Sequence, residues 1–421
     1  MTTAPQIVYL HIGLHKTGTT YLQNLFKANR DILSAQGVGF PGGPGQQAQA
    51  FGVWDLQGRR PRGVQDTRIG GSWDELVQAV NTGGAPVALI SEEHLSVSTL
   101  KQVRQAVASF SHSEVRVIVT ARDLARVAVS AWQEEVKNDQ TWTWEQFAAA
   151  IREPEEIAKS PARGFWLRQD LPKICELWES AVPVERITII TVPPAGAPPG
   201  QLVERFASVV GFDPTSLTEA PTWSNETVGV AATEVIRRIN ERLGHRLNQR
   251  QHDKVIKRTI VHGLAVRTEA ARFTLPDEEL PWITDRAQTM REAIEDRGYA
   301  VVGDLDDLRP RRHHGGRRPD DATEHELLEA SLDALALLAE EYAGLWWQRK
   351  RHTVEAGDDD GGMASRARGL VFRSQRRAAH LADSSRAGEI ALRLVLKARD
   401  RARRRALSGS NRPTESKPTE E

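Results

Sequence analysis

The chain has 421 residues, enough for one large domain with appended segments or for two to three ordinary domains. Lys plus Arg and Asp plus Glu both number 56, so no net charge draws the whole protein onto a polyanion, and no nucleic-acid partner is expected. The single cysteine, Cys175, excludes an intramolecular disulfide. No secretory signal pattern opens the chain, and no apolar stretch reaches the ~20 residues of a membrane span. We therefore expect a cytoplasmic protein.

Short apolar runs alternate with helical periodicity along the first half of the chain. The runs lack strict alternation, as strands buried on both faces do, and they lie at residues 7–12, 86–90, 115–120 and 186–192. Between them, apolar residues recur at helical spacing in 73–80, 99–110, 124–136, 144–151 and 165–178. This order predicts an α/β fold with a parallel sheet covered by helices on both faces. Ligands bind such sheets beyond the carboxyl ends of the strands.

The turn between the first strand and the first helix reads His-Ile-Gly-Leu-His-Lys-Thr-Gly-Thr-Thr over residues 11–20. A helix N-terminus presents unpaired N–H groups and a positive dipole end, and glycines let the backbone approach a ligand closely. Lys16 adds a point charge, so the turn predicts a site for a phosphate-like anion. The nucleoside-triphosphate motif places its lysine after the second glycine, whereas Lys16 precedes Gly18.

This loop resembles the 5′-phosphosulfate-binding loop of sulfotransferases that use 3′-phosphoadenosine 5′-phosphosulfate (PAPS). Its Lys-Thr-Gly-Thr-Thr form is similar to that of bacterial, actinobacterial-like members. The resemblance implies a P-loop-like sulfotransferase fold, PAPS as donor co-substrate, and donor contacts from His15, Lys16, Thr17, Gly18, Thr19 and Thr20. Arg122, after the strand at 115–120, and Ser130, about two helical turns later, resemble the family's 3′-phosphate site. A sulfuryl group carries less charge than a phosphoryl group, so no metal is expected.

A general base is expected beyond a neighbouring strand end. Ser91-Glu92-Glu93-His94 follows the strand at 86–90 and resembles a region where bacterial members carry Ser-Glu. Glu93 is the first candidate, His94 the second and Glu92 the third. Alternation along an extended chain would aim Glu92 and His94 to one side and Glu93 to the other, so only one set is expected to face the donor. Lys16 is expected to stabilise the leaving oxygen.

The predicted function is therefore sulfuryl transfer from PAPS to a hydroxyl or amine of an acceptor. The acceptor class stays open between carbohydrate, glycolipid, peptide and small molecule. A nucleotide-dependent kinase is the enzymatic alternative, but it would need a strand that ends in Asp for magnesium, and the third strand here ends Thr120-Ala121-Arg122. A non-catalytic module that retains the fold is the other alternative.

Amino-acid composition indicates how the rest of the chain is divided into segments. Residues 37–72 are rich in Gly, Pro, Gln and Arg, which predicts a long loop beside the site. Residues 366–405 hold 12 Arg and one Lys against three acids, and two interpretations stay open for them, peripheral contact with the inner membrane face and self-association. The predicted organisation is a sulfotransferase domain at 1–308, a linker at 309–323, an amphipathic helix at 324–352, an acidic linker at 353–365, a basic amphipathic segment at 366–407 and a disordered tail at 408–421.

Overall fold

The computed structural model describes residues 5–42, 48–60, 67–153, 161–219, 228–267, 273–312 and 316–356. The chain divides into two units, Met1–Leu338 and Ala339–Glu421. The second unit is described only for residues 339–356, which are helical. The predicted basic segment at 366–407 and the tail at 408–421 lie outside the described residues.

A parallel sheet of six strands forms the centre of the first unit, in the order β2-β3-β1-β4-β5-β6. Its strands are β1 (Ile7–Gly13), β2 (Val38–Gly39), β3 (Val87–Ser91), β4 (Glu114–Ala121), β5 (Ile187–Thr191) and β6 (Ala300–Val302). The four predicted strands are confirmed to within one residue at each end. The short edge strands β2 and β6 were not predicted, because two or three residues are too few to show a pattern.

The described part of the chain also forms fifteen α-helices. They are α1 (Thr19–Ala28), α2 (Arg30–Ala35), α3 (Ala48–Leu56), α4 (Ser72–Thr82), α5 (Leu100–Ala108), α6 (Leu124–Lys137), α7 (Trp144–Arg152), α8 (Pro161–Gln169), α9 (Leu171–Glu179), α10 (Gln201–Val210), α11 (Val230–Leu243), α12 (Gln249–His252), α13 (His262–Arg267), α14 (Leu280–Arg297) and α15 (Glu324–Ala356). A π-helical stretch, Asp253–Val261, joins α12 to α13. No helix in the described part of the chain is long and apolar enough to span a membrane.

Strand side chains alternate between two apolar cores. On β1, Val8 and Leu10 face the larger core, which receives α3 to α9, α11 and α14, whereas Tyr9 faces the smaller core with α1, α2 and α10. On β4, Val117 and Ile118 divide between the two cores in the same way. Because both faces are buried, the strands read as continuous apolar runs. The predicted α/β fold with helices on both faces is confirmed.

Two predictions about local structure are wrong. Residues 37–72 are not one long loop, because they contain β2, α3 and a 3₁₀ turn, Thr67–Ile69. Helix α3 is apolar on several sides and therefore shows no one-sided period, and a Cβ at Gly52 would lie 3.1 Å from Leu76 Cδ2 of α4. The single helix predicted over 165–178 is two helices, since Pro172, in the first turn of α9, has no N–H to continue the hydrogen-bond ladder of α8.

Candidate active site

The turn from β1 into α1 has a backbone that few residues adopt. Lys16 and Gly18 have φ angles of 65° and 88°, in the left-handed region that favours glycine. Gly13 also has a positive φ, and a Cβ there would lie 2.9 Å from Glu93 Cβ. Glycine at position 13 therefore lets the segment after β3 close onto the anion loop.

A chain of buried hydrogen bonds supports this loop from below. The Thr17 hydroxyl donates to Leu14 O at 2.5 Å and lies 2.7 Å from Thr120 Oγ1 on β4. Because the single proton of the Thr17 hydroxyl goes to Leu14 O, the Thr120 hydroxyl must donate to Thr17. Thr120 Oγ1 then accepts from His11 Nε2, 3.1 Å away. His11 Nδ1 is then left to accept from Ser91 Oγ of β3 at 2.7 Å. The chain fixes a neutral His11 protonated on Nε2, and it ties three strand ends to the loop.

Burial lowers the pKa of His11 to about 3. This folded-state pKa lies below that of an unfolded histidine, so the stability linked to it is present above about pH 6.5 and is lost as the pH falls toward 3. Between pH 6.5 and pH 4 we expect the titration of His11 to lower the free energy of unfolding by about 3 kcal/mol. Urea unfolding across that range should show a flatter pH dependence in His11→Gln, which keeps one donor and one acceptor but does not titrate. Equal slopes in the two proteins would contradict the buried neutral histidine.

A cavity of about 280 Å³ opens above the loop. Its walls come from the loop, the end of β3 and helices α6, α7 and α8. The lining residues are His15, Lys16, Gly18, Thr19, Thr20, Glu93, His94, Ala131, Glu134, Glu135, Asn138, Phe147, Phe165, Arg168 and Gln169. The anion loop and both leading base candidates therefore share one cavity.

Glu93 is held against the start of α1. The Thr19 hydroxyl donates to Glu93 Oε2, and His15 Nδ1 lies 3.8 Å from Oε1. Burial, and after it the charge of Glu92, raises the pKa of Glu93. Burial, followed by nearby positive charge, lowers the pKa of His15, so this ring is neutral near neutral pH. Glu93 is thus a carboxyl group whose affinity for a proton exceeds that of an ordinary glutamate.

The expected alternation after β3 is wrong. Glu93 and His94 line the same cavity, because a 3₁₀ helix, Glu93–Val97, replaces extended chain at this point. Glu92 caps that helix and accepts from His94 Nδ1 at 2.6 Å. Its side chain lies in a second, smaller cavity beside Gln23 and Lys27. Glu92 therefore positions His94 and lies off the main cavity.

Three of the predicted donor residues do not line the main cavity. Thr17 is fully buried with its hydroxyl turned inward, so a donor contact would fall to its backbone N–H. Arg122 lies behind the loop, where its Nη1 donates to Lys16 O at 3.3 Å, and burial lowers its pKa to about 10. Among the described residues, Arg122 Nε is buried and finds no acceptor. Ser130 is half-buried on α6.

The sequence patterns missed the wall formed by α6 and α8. Lys16 Nζ lies 2.9 Å from Glu134 Oε2, and Glu134 Oε1 accepts from Asn138 Nδ2 at 3.0 Å. On the other side, Gln169 Nε2 donates to His15 O at 2.9 Å. A signal for the α6 residues did exist, because Ser130, Glu134 and Asn138 recur at four-residue intervals and so lie on one helix face.

Comparison with known proteins adds one weak similarity. No model of a known family matches the chain, and no curated protein matches it. A crystal structure of a sulfotransferase from Alicyclobacillus acidocaldarius is similar with a TM-score of 0.34 and 16% identity, over 58% of this chain and 97% of that one. A similarity of this size does not indicate what the chain does.

Proposed function

We propose that the protein is a sulfotransferase that moves the sulfuryl group of PAPS to a hydroxyl or amine of an acceptor. The observation that carries the proposal is the shared cavity, where Lys16 and the N-terminus of α1 lie beside Glu93. Transfer of an anionic group requires an anion site and a proton acceptor within reach of one another.

In this proposal different residues bind the two anionic ends of the donor. Lys16 and the backbone N–H groups at the start of α1 would hold the 5′-phosphosulfate. Arg122, whose buried Nε lacks an acceptor within the described chain, would hold the 3′-phosphate together with Ser130. When bound, the donor would supply the sulfuryl group, and adenosine 3′,5′-bisphosphate would leave through an oxygen of its 5′-phosphate.

The chain's own contribution to the reaction is electrostatic and positional. Glu93 takes the proton of the acceptor, and the hydrogen bond from Thr19 fixes the carboxylate beside the anion site. The Lys16 ammonium stabilises the charge that develops on the leaving oxygen. The buried chain from Ser91 through His11 to Thr17 keeps the loop rigid, so little reorganisation is needed during transfer. His94 is the second candidate for the base.

The end of β4 disfavours the kinase alternative. Asp123 is the nearest acid after that strand, but its carboxylate caps α6, accepting from Arg126 N at 2.9 Å, and it pairs with the Arg126 guanidinium. This carboxylate is engaged with the helix and with Arg126, whereas a kinase needs such an Asp for magnesium. No group of three or more His, Cys, Asp or Glu side chains suited to a metal occurs among the described residues, and metal independence stays a prediction.

Titration calorimetry with adenosine 3′,5′-bisphosphate and with ATP tests the donor site. We expect the bisphosphate to bind at least about tenfold more tightly, and Arg122→Ala to weaken it about 10- to 100-fold, because a charged hydrogen bond to the 3′-phosphate is lost. Arg116→Ala is the matched control, since Arg116 lies on β4, the strand that Arg122 follows, and pairs with Glu114. ATP binding as tight as that of the bisphosphate would favour the kinase.

A further inference from the structure

Lys16 is contacted by a carboxylate that the sulfuryl-transfer account does not use. Glu134, on α6, approaches Lys16 Nζ to 2.9 Å, well within charge-assisted hydrogen-bond distance. The Glu134 side chain is 41% exposed and lines the cavity, so it can leave this position by rotation alone. Its carboxylate occupies one of the positions around Lys16 Nζ that a bound anion could take.

We propose that Glu134 competes with the 5′ anionic group of the nucleotide for Lys16 and thereby weakens binding of both donor and product. The inference rests on the proposed sulfotransferase function. Two like charges cannot share one ammonium at hydrogen-bond distance without repulsion, so the nucleotide either displaces Glu134 or binds beside it at a cost in affinity.

The surroundings of Glu134 supply what the competition needs. Burial would raise the pKa of Glu134, but the charge and hydrogen bond of Lys16, together with the charges of Lys137 and Lys257, outweigh burial and lower this pKa to about 2. The carboxylate that pairs with Lys16 is therefore ionised across the working pH range. Asn138 Nδ2 donates to Oε1 and Asn138 lines the cavity as well. Displaced from Lys16, the carboxylate would therefore still have a hydrogen-bond donor, at the C-terminal end of its own helix.

The competition has a kinetic consequence. Adenosine 3′,5′-bisphosphate, the nucleotide product, retains the 5′-phosphate, so Glu134 opposes its retention and speeds its release. Product release limits the turnover of many enzymes. Glu134 would then be a residue that sets nucleotide affinity and product inhibition, while Glu93 and Lys16 act on the transferred group.

The test compares nucleotides that differ only at the 5′ position. Calorimetry of Glu134→Gln should show binding of adenosine 3′,5′-bisphosphate tightened on the order of tenfold, with adenosine 3′-phosphate unchanged, because only the bisphosphate carries the group that competes. Glu145→Gln removes the same charge from an exposed position on α7 that does not line the cavity, and should change affinity by less than about threefold. Glu134→Ser provides a second variant with a shorter side chain, and both should retain the thermal stability of the wild type.

The outcomes separate this inference from the proposed function. If wild-type protein fails to bind the bisphosphate, the sulfotransferase proposal fails and the inference fails with it. If wild type binds it, but Glu134→Gln and Glu134→Ser bind it no more tightly, the competition is wrong. Weaker binding in both variants would mean instead that Glu134 orients Lys16 for the nucleotide.

Discussion

Replacing Lys16 with alanine should reduce turnover about a thousandfold while weakening nucleotide binding about tenfold or less. The difference arises because the leaving oxygen gains charge during transfer, so the ammonium contributes more in the transition state than in the bound ground state. Glu134 would keep part of its ordering through Asn138, which limits the disturbance to the cavity. The rate of adenosine 3′,5′-bisphosphate formation and calorimetry of its binding measure the two effects separately.

Lys173→Ala is the matched control for this variant. Lys173 is on α9, its side chain is 76% exposed, and it pairs with Asp170 outside the cavity. It should leave both turnover and affinity unchanged. Equal losses in turnover and in affinity for Lys16→Ala would instead mean that Lys16 only binds the nucleotide, and its role at the leaving oxygen would be withdrawn.

Glu93→Gln should lower turnover by about 10² to 10⁴, which is the usual contribution of a general base. The wild-type rate should fall as the pH drops through the pKa of Glu93, because only the ionised carboxylate accepts a proton. That pKa is raised by burial and then by Glu92, so the acid limb should lie above the ~4.3 of an ordinary glutamate. Glu93→Gln should lose this limb.

A second variant checks the assignment through the hydrogen bond from α1. The Thr19 hydroxyl donates to Glu93 and lowers its pKa, opposing the effect of burial. Thr19→Val should therefore shift the acid limb further upward in pH, which a purely structural role of Glu93 would not produce. An active Glu93→Gln together with an inactive His94→Gln would transfer the role of base to His94.

Features that depend on a local pattern of residues can be predicted from the sequence. Strands buried on both faces show as apolar runs, and the turn at Lys16 and Gly18 needs both glycine and charge at fixed positions. Helix α3 was not predicted because it is apolar on several sides and so shows no one-sided period. The ion pair between Lys16 and Glu134 could not be predicted, because the two residues are 118 positions apart. Only the packing of α6 beside the anion loop brings them together.

The expected alternation of side chains after β3 fails for a local structural reason. Alternation assumes that an extended strand continues, and it ends at Ser91, where the 3₁₀ helix Glu93–Val97 begins. A cap by the Glu92 side chain is a local signal for such a turn, but it is weaker than the periodicity of the strand before it. The relation of Glu93 and His94 to the cavity therefore had to come from the structure.

Transfer of the sulfuryl group itself tests the central claim most directly. Purified protein and PAPS are incubated with an extract of cells that lack the gene, and untargeted mass spectrometry compares the products with those of Lys16→Ala. We expect at least one metabolite or macromolecule to gain a single sulfuryl group with the wild type and not with the variant. Tight binding of adenosine 3′,5′-bisphosphate without any sulfated product across extracts and defined acceptors of every class would contradict the enzyme, and would leave a nucleotide-binding module that retains the fold.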